Sequence, residues 1–131
     1  MRFLKTAALF CIGGCSYVGV ELLWRRRSHG SMFFLGGACV LVIGRLGRAL
    51  ERMSGVVRAV ACGAAVTAME LATGLLVNRS YRVWDYRRRR WNFRGQICLL
   101  YSLYWIPLSA VAGLLYRQAE KLLLLPQNRR C

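Results

Sequence analysis

Five acidic side chains stand against twenty lysines and arginines in this 131-residue chain, a formal net charge of +15, so the position of each acid is informative. They are Glu21, Glu51, Glu70, Asp85 and Glu120. Glu70 follows a charge-free stretch, residues 59–69, and counting from Ala59 at the helical rise puts it about 16 Å into a membrane, near the midplane. An ionised acid at that depth costs about 2.5–3.5 kcal/mol even on lenient insertion scales, so it requires a proton, a cation or buried donors. Gly63, Thr67, Glu70 and Gly74 share one face by helical spacing, with Ala64, Ala68 and Ala72 in an adjacent row. Small residues let helices approach closely, so Glu70 is expected to point into protein. Gly14, Tyr17 and Glu21 line up in the same way on an earlier segment. The expectation is that Glu70 and Glu21 form buried polar contacts beneath an arginine-rich mouth. Two readings stay open: an ion, proton or substrate site, or partners in helix packing.

The third acid of interest, Asp85, lies in VWDYRRRRWNF, residues 83–93. Basic runs flanked by aromatic side chains suit nucleic acid, but Trp, Tyr, Arg and Lys also gather at membrane–water interfaces. Trp84, Tyr86, Trp91 and Phe93 lie between two apolar spans, where the interface explains them. Arg25, Arg26 and Arg27, with Arg87, Arg88, Arg89 and Arg90, are therefore expected to contact anionic lipid headgroups, and no nucleic-acid partner is expected. Asp85 is expected to take an arginine or backbone partner and fold its loop against the helix ends near Glu70.

Other chemistry is thin. There is no GxxxxGK[ST] phosphate loop, and the single histidine, His29, has no acid–base partner in the pattern. The six cysteines form no CxxC and match no zinc spacing. Cys11, Cys15, Cys39, Cys62 and Cys98 fall inside apolar segments, as small packing residues do, and Cys131 lacks the following residues a prenylation signal needs. Neither an enzyme, a cofactor nor a metal is expected.

The elements that must hold these residues are set by where charge is missing. The composition is 56% hydrophobic with a mean hydropathy of +0.35, and residues 6–20, 31–44, 59–69 and 96–116 carry no charge. A bilayer core needs roughly 20 apolar helical residues. The reading is an all-α protein, one integral membrane domain over residues 1–131, with four transmembrane helices at about 6–24, 32–50, 56–77 and 96–116. Arg45 and Arg48 interrupt the end of the second helix and are expected to snorkel. Pro107 is expected to kink the fourth, which either continues toward Leu125 or leaves residues 122–125 on the membrane surface. The basic start and Ile12-Gly13-Gly14-Cys15 also resemble a signal with a lipoprotein box. The apolar run continues through Trp24, however, which favours an uncleaved first helix. Counting Lys and Arg by side gives ten each, so the charge rule assigns no orientation.

Motifs add a resemblance. Met69-Glu70-Leu71-Ala72-Thr73-Gly74-Leu75-Leu76-Val77-Asn78, Val83-Trp84-Asp85-Tyr86, Trp91-Asn92-Phe93-Arg94-Gly95-Gln96-Ile97-Cys98-Leu99 and Ser102-Leu103-Tyr104-Trp105 are similar to a bacterial family of small membrane proteins, labelled ABC-transporter type IV or ABC transporter permease. His29 with residues 32–37 resembles the start of that family's second helix, and the likeness spans roughly residues 28–116. Glu70, Trp84, Asp85, Tyr86, Asn92, Gly95 and Trp105 match its motif. Arg87 to Arg90 depart from it, where a Ser and a Pro are expected, and Trp91 stands in a Phe or Pro neighbourhood. The resemblance implies a multi-pass protein of a bacterial cell membrane and a transport-related, permease-like subunit whose ATPase, if any, is a separate chain. Its alternative is a structural or interaction protein that organises a complex or binds anionic lipid. Glycine and alanine faces also suit a homo-oligomer.

Overall fold

The computed structural model describes residues 2–124 and contains α1 (Arg2–Arg25), α2 (Gly30–Ala49), α3 (Gly55–Val77) and α4 (Leu99–Leu124). All four are long and apolar enough to cross a membrane. The all-α, four-span architecture is therefore as expected, and the alternation of direction gives the bundle two unlike ends. One end carries the 26–29 turn and the long 78–98 connection. The other carries the start of α1, the 50–54 turn and the end of α4.

Local chemistry explains most boundaries. After α1, Arg26 takes a left-handed backbone conformation (φ 56°) that stops the helix. His29 is extended and caps α2, its Nδ1 accepting from the Ser31 amide at 3.2 Å. Ser54 caps α3, its hydroxyl accepting from the Val57 amide at 3.3 Å. Such caps contribute about 1 kcal/mol each by satisfying an orphan amide. His29 thus has a structural task that its loop position did not suggest.

The fourth helix starts later than expected and takes the longer of its two expected ends. It starts at Leu99 instead of 96, because residues 92–93 (β1) and 97–98 (β2) form a two-rung antiparallel pair, Asn92 opposite Cys98 and Phe93 opposite Ile97. It runs on to Leu124 through charged residues, so 122–124 continue the helix; residue 125 and the polar tail lie outside the described residues. The helix passes through Pro107 without interruption. Charge is tolerated late in α4 because Glu120 accepts from Lys5 of α1 at 2.7 Å and pairs with Arg48 of α2. Lys5 reaches it because α1 is already helical at Arg2, four residues earlier than hydropathy suggested.

The core lies mainly along α2. Met32, Leu35, Cys39 and Ile43 pack with Cys62 and Val66 of α3, and Trp84 enters from the connection. Close approach of α1 and α2 depends on glycine: a Cβ at Gly13 would lie 2.6 Å from Val40 Cγ2 and 2.9 Å from the Gly36 carbonyl oxygen. The outer surface is apolar, with Leu23 88% and Leu76 72% exposed; that area would be a liability in water and is a lipid-facing surface in a bilayer. Gly63, Glu70 and Gly74 do face the interior, but Ala64, Ala68 and Ala72 are exposed. The alanine row looks outward, because α3 packs on α4 through its glycine side, where Gly63 meets Ile106.

Candidate functional site

Glu70 sits seven residues before the end of α3, about 10 Å by helical rise from Val77. Since α3 begins at Gly55, the acid belongs to the half of the bundle beneath the long connection and not to its midplane. It is 3% exposed. Its two oxygens have different donors: Trp105 Nε1 of α4 donates to Oε2 at 3.0 Å, and the Tyr86 hydroxyl donates to Oε1 at 3.3 Å. Tyr17 of α1 stacks on Trp105, with centroids 5.8 Å apart and planes 20° apart. Tyr86 stacks likewise on Tyr101, at 5.1 Å and 18°. The carboxylate therefore lies in an aromatic cradle built by three helices and one loop. Among the described residues no Lys or Arg reaches it within ion-pair distance.

Tyr86 arrives there because the connection folds as a plug. Its hub is Asn78, the residue after α3, which is fully buried. The Asn78 amide nitrogen donates to the Trp84 carbonyl at 2.6 Å and to Gln96 Oε1 at 3.0 Å. Its amide oxygen accepts from the Val83 backbone at 2.9 Å, and its main-chain carbonyl accepts from Gln96 Nε2 at 3.1 Å. The Trp84 indole then donates to the Gln96 carbonyl at 2.8 Å. The buried polar side chains of the hub, Asn78, Trp84 and Gln96, are thereby matched, as a buried loop requires. Gly74 admits Gln96, since a Cβ there would collide with the Gln96 carboxamide.

Asp85 points the other way. It is exposed, and its carboxylate accepts from the Arg87 amide at 3.0 Å, Nε at 2.9 Å and Nη2 at 2.7 Å. These bonds to Arg87 hold its carboxyl at about 2, below the usual carboxylate range. The expected arginine and backbone partner is thus present, but Trp84 and Tyr86, alternating to the opposite side, are the residues that reach the bundle. Burial and the nearby Glu70 carboxylate push the Tyr86 phenol well up, so it remains a proton donor to that acid.

Asn92 closes the turn. It donates to the Arg89 carbonyl at 2.8 Å and accepts from the Gly95 amide at 3.0 Å. Gly95 has φ +67°, and a Cβ there would lie 2.5 Å from Arg87 Cγ. The arginine run divides by environment. All four are exposed, but Arg87 lies over Tyr81 at 4.2 Å, Arg89 near Tyr101 at 5.5 Å and Arg90 near the exposed Trp91 at 5.9 Å. Arg26 and Arg27 are exposed as well. Arg25 pairs with Glu21 one turn earlier, at 3.4 Å, and also donates to the Val83 carbonyl. Glu21 therefore braces the arginine that pins the plug, and it shares no hydrogen bond with Glu70. The two acids are brought to the same end but into separate contacts.

Sequence reasoning missed Asn78 and Gln96. A visible signal existed: both are uncharged polar residues placed where an apolar span meets the long connection, and such residues often serve as caps. Among the described residues no three His, Cys, Asp or Glu side chains gather as a metal site would need.

A protein-family model described as "Putative ABC-transporter type IV" matches residues 9–128. No curated protein and no solved structure matches the chain.

Proposed function

From the premise that this chain belongs to the ABC-transporter type IV family, we propose that it is a transport-related, permease-like membrane subunit with no ATPase of its own, and that Glu70 is its intramembrane site. The observation that carries this reading is a buried carboxylate met by two neutral donors and no cation among the described residues. An acid so placed is suited to take up a proton or to pair with a cationic group that enters the bundle. Energy coupling in this reading comes from a separate ATPase chain, and the membrane is the bacterial cytoplasmic one. The exposed Arg26, Arg27, Arg88 and Arg90 rest on anionic headgroups of the leaflet that covers the plug.

A second reading is favoured by the same two hydrogen bonds. They join α3, α4 and the connection, so Glu70 also suits a structural protein in which the acid fastens the plug and the molecule organises a complex. Purification of the tagged chain from its own membranes separates the two. The transport reading expects a stoichiometric ATPase chain, or substrate flux in proteoliposomes; finding neither overturns it.

A further inference from the structure

At the end of the bundle away from Glu70, a cleft of about 450 Å³ opens between α2, α3 and α4. Two of the residues that line it, Gly47 and Gly113, bring no side chain to its walls. Nothing lies within 4 Å of a Cβ built at Gly47, and at Gly113 such an atom meets only Ile43, at 3.7 Å. At its floor, Ser109 is 3% exposed, and its hydroxyl has no hydrogen-bond partner among the described residues. Arg48, Arg58, Arg117 and Lys121 outnumber Glu51 and Glu120 along the lining of the cleft, and Arg58, Arg117 and Lys121 have no ion-pair partner among the described residues. Glu120 is already engaged by Lys5 and Arg48.

We propose that this cleft binds one anionic phospholipid, its phosphate held by Arg58, Arg117 and Lys121 and an acyl chain lying along the trough beside Gly47 and Gly113. A phospholipid has the required order of parts. Its negative phosphate is outermost, at the height of the basic side chains, and its chain fills the open space beside Gly47 and Gly113. A second copy of the chain fits less well, because each copy carries +15 and would bring like charge to a cationic rim. The site is at the opposite end from Arg25–Arg27 and Arg87–Arg90, and it stands whether or not Glu70 serves transport.

The test is native mass spectrometry of the full-length protein in detergent, titrated with phosphatidylglycerol or phosphatidylcholine. One phosphatidylglycerol per chain is expected, with phosphatidylcholine far weaker. The pair R58Q/R117Q should weaken retention roughly twenty-five-fold, about fivefold for each basic side chain removed. Gly47→Leu, which fills the trough from open space, should displace the lipid with an unchanged thermal unfolding temperature, and R88Q/R90Q at the other end should leave it in place. Equal retention of both lipids, full retention in Gly47→Leu, or equal loss in R88Q/R90Q would overturn the site. So would competition by free glycerol phosphate alone, which would mean that the rim binds phosphate without a chain. A dimer that Gly47→Leu dissociates would assign the cleft to a second copy instead.

Discussion

The indole Nε1 of Trp105 donates to Glu70 Oε2 across 3.0 Å, and this one bond joins α3 to α4 in the part of the bundle that the plug covers. Tyr86 supplies the second donor from the plug itself. The acid thus reports on three things at once: helix pairing, loop closure and the protonation or ligation of a buried site. Substitutions that keep shape and remove one hydrogen bond separate these roles.

Trp105→Phe keeps a ring against Tyr17 and removes the donor to Oε2. Leaving a buried acceptor unmatched costs about 1–3 kcal/mol, which equilibrium unfolding in detergent should detect. Tyr86→Phe should cost less, because its bond is longer at 3.3 Å and the stack on Tyr101 survives.

Asn78→Ala should be among the most damaging single changes outside the core. It strips donors from the Trp84 carbonyl and Gln96 Oε1 and an acceptor from the Val83 amide. Several buried groups orphaned together imply about 3 kcal/mol or more. Asn78→Asp, similar in size, should fail almost as badly, since it cannot donate to either oxygen. Limited proteolysis within 86–94 reads loop release directly.

The Asp85 carboxyl, held at about 2, lies below the value of about 3.9 for a free aspartate. Its folded value is depressed, so its contribution to loop order is complete above the free value and is lost as pH falls through about 2. Carboxyl NMR should show a midpoint near 2, and loop order should not change between pH 5 and 8 on its account. Asp85→Asn should speed cleavage by an arginine-specific protease at 87–90 while leaving bundle unfolding nearly unchanged, because the pair is exposed and screened.

Glycines on α1 should divide sharply. A Cβ at Gly13 meets Val40 and the Gly36 carbonyl at under 3 Å, whereas one at Gly19 meets nothing within 4 Å. Gly13→Ala should therefore destabilise by about 1–3 kcal/mol through overpacking. Gly19→Ala should be neutral or stabilise by up to about 1 kcal/mol through helix propensity. Thermal unfolding of the two variants side by side makes the comparison.

The spans were legible because a bilayer tolerates few charges, so the charge-free stretches nearly coincide with helices. Glu70 stood out for the same reason. Charge could not place the start of α4, since Gln96, Ile97 and Cys98 are uncharged whether they form helix or the small hairpin. Nor could spacing choose between two neighbouring small-residue rows on α3: the glycine row packs on α4, and the alanine row faces out. Asn78 and Gln96 were hidden because their partnership exists only after eighteen residues of chain have closed on themselves, and that closure has no period in the sequence. The arginine run looked uniform and is not, since Arg87 alone is paired with Asp85 while Arg88, Arg89 and Arg90 have no ion-pair partner among the described residues.

Glu70→Gln is the most direct test of the central claim. The side chain keeps its size and one acceptor, so the protein should assemble, and its unfolding in detergent should stay close to that of the unchanged chain. Reconstituted with its co-purified ATPase in proteoliposomes, the unchanged chain should support ATP-dependent substrate flux that E70Q abolishes. Flux that persists undiminished in correctly assembled E70Q would contradict Glu70 as the transport site.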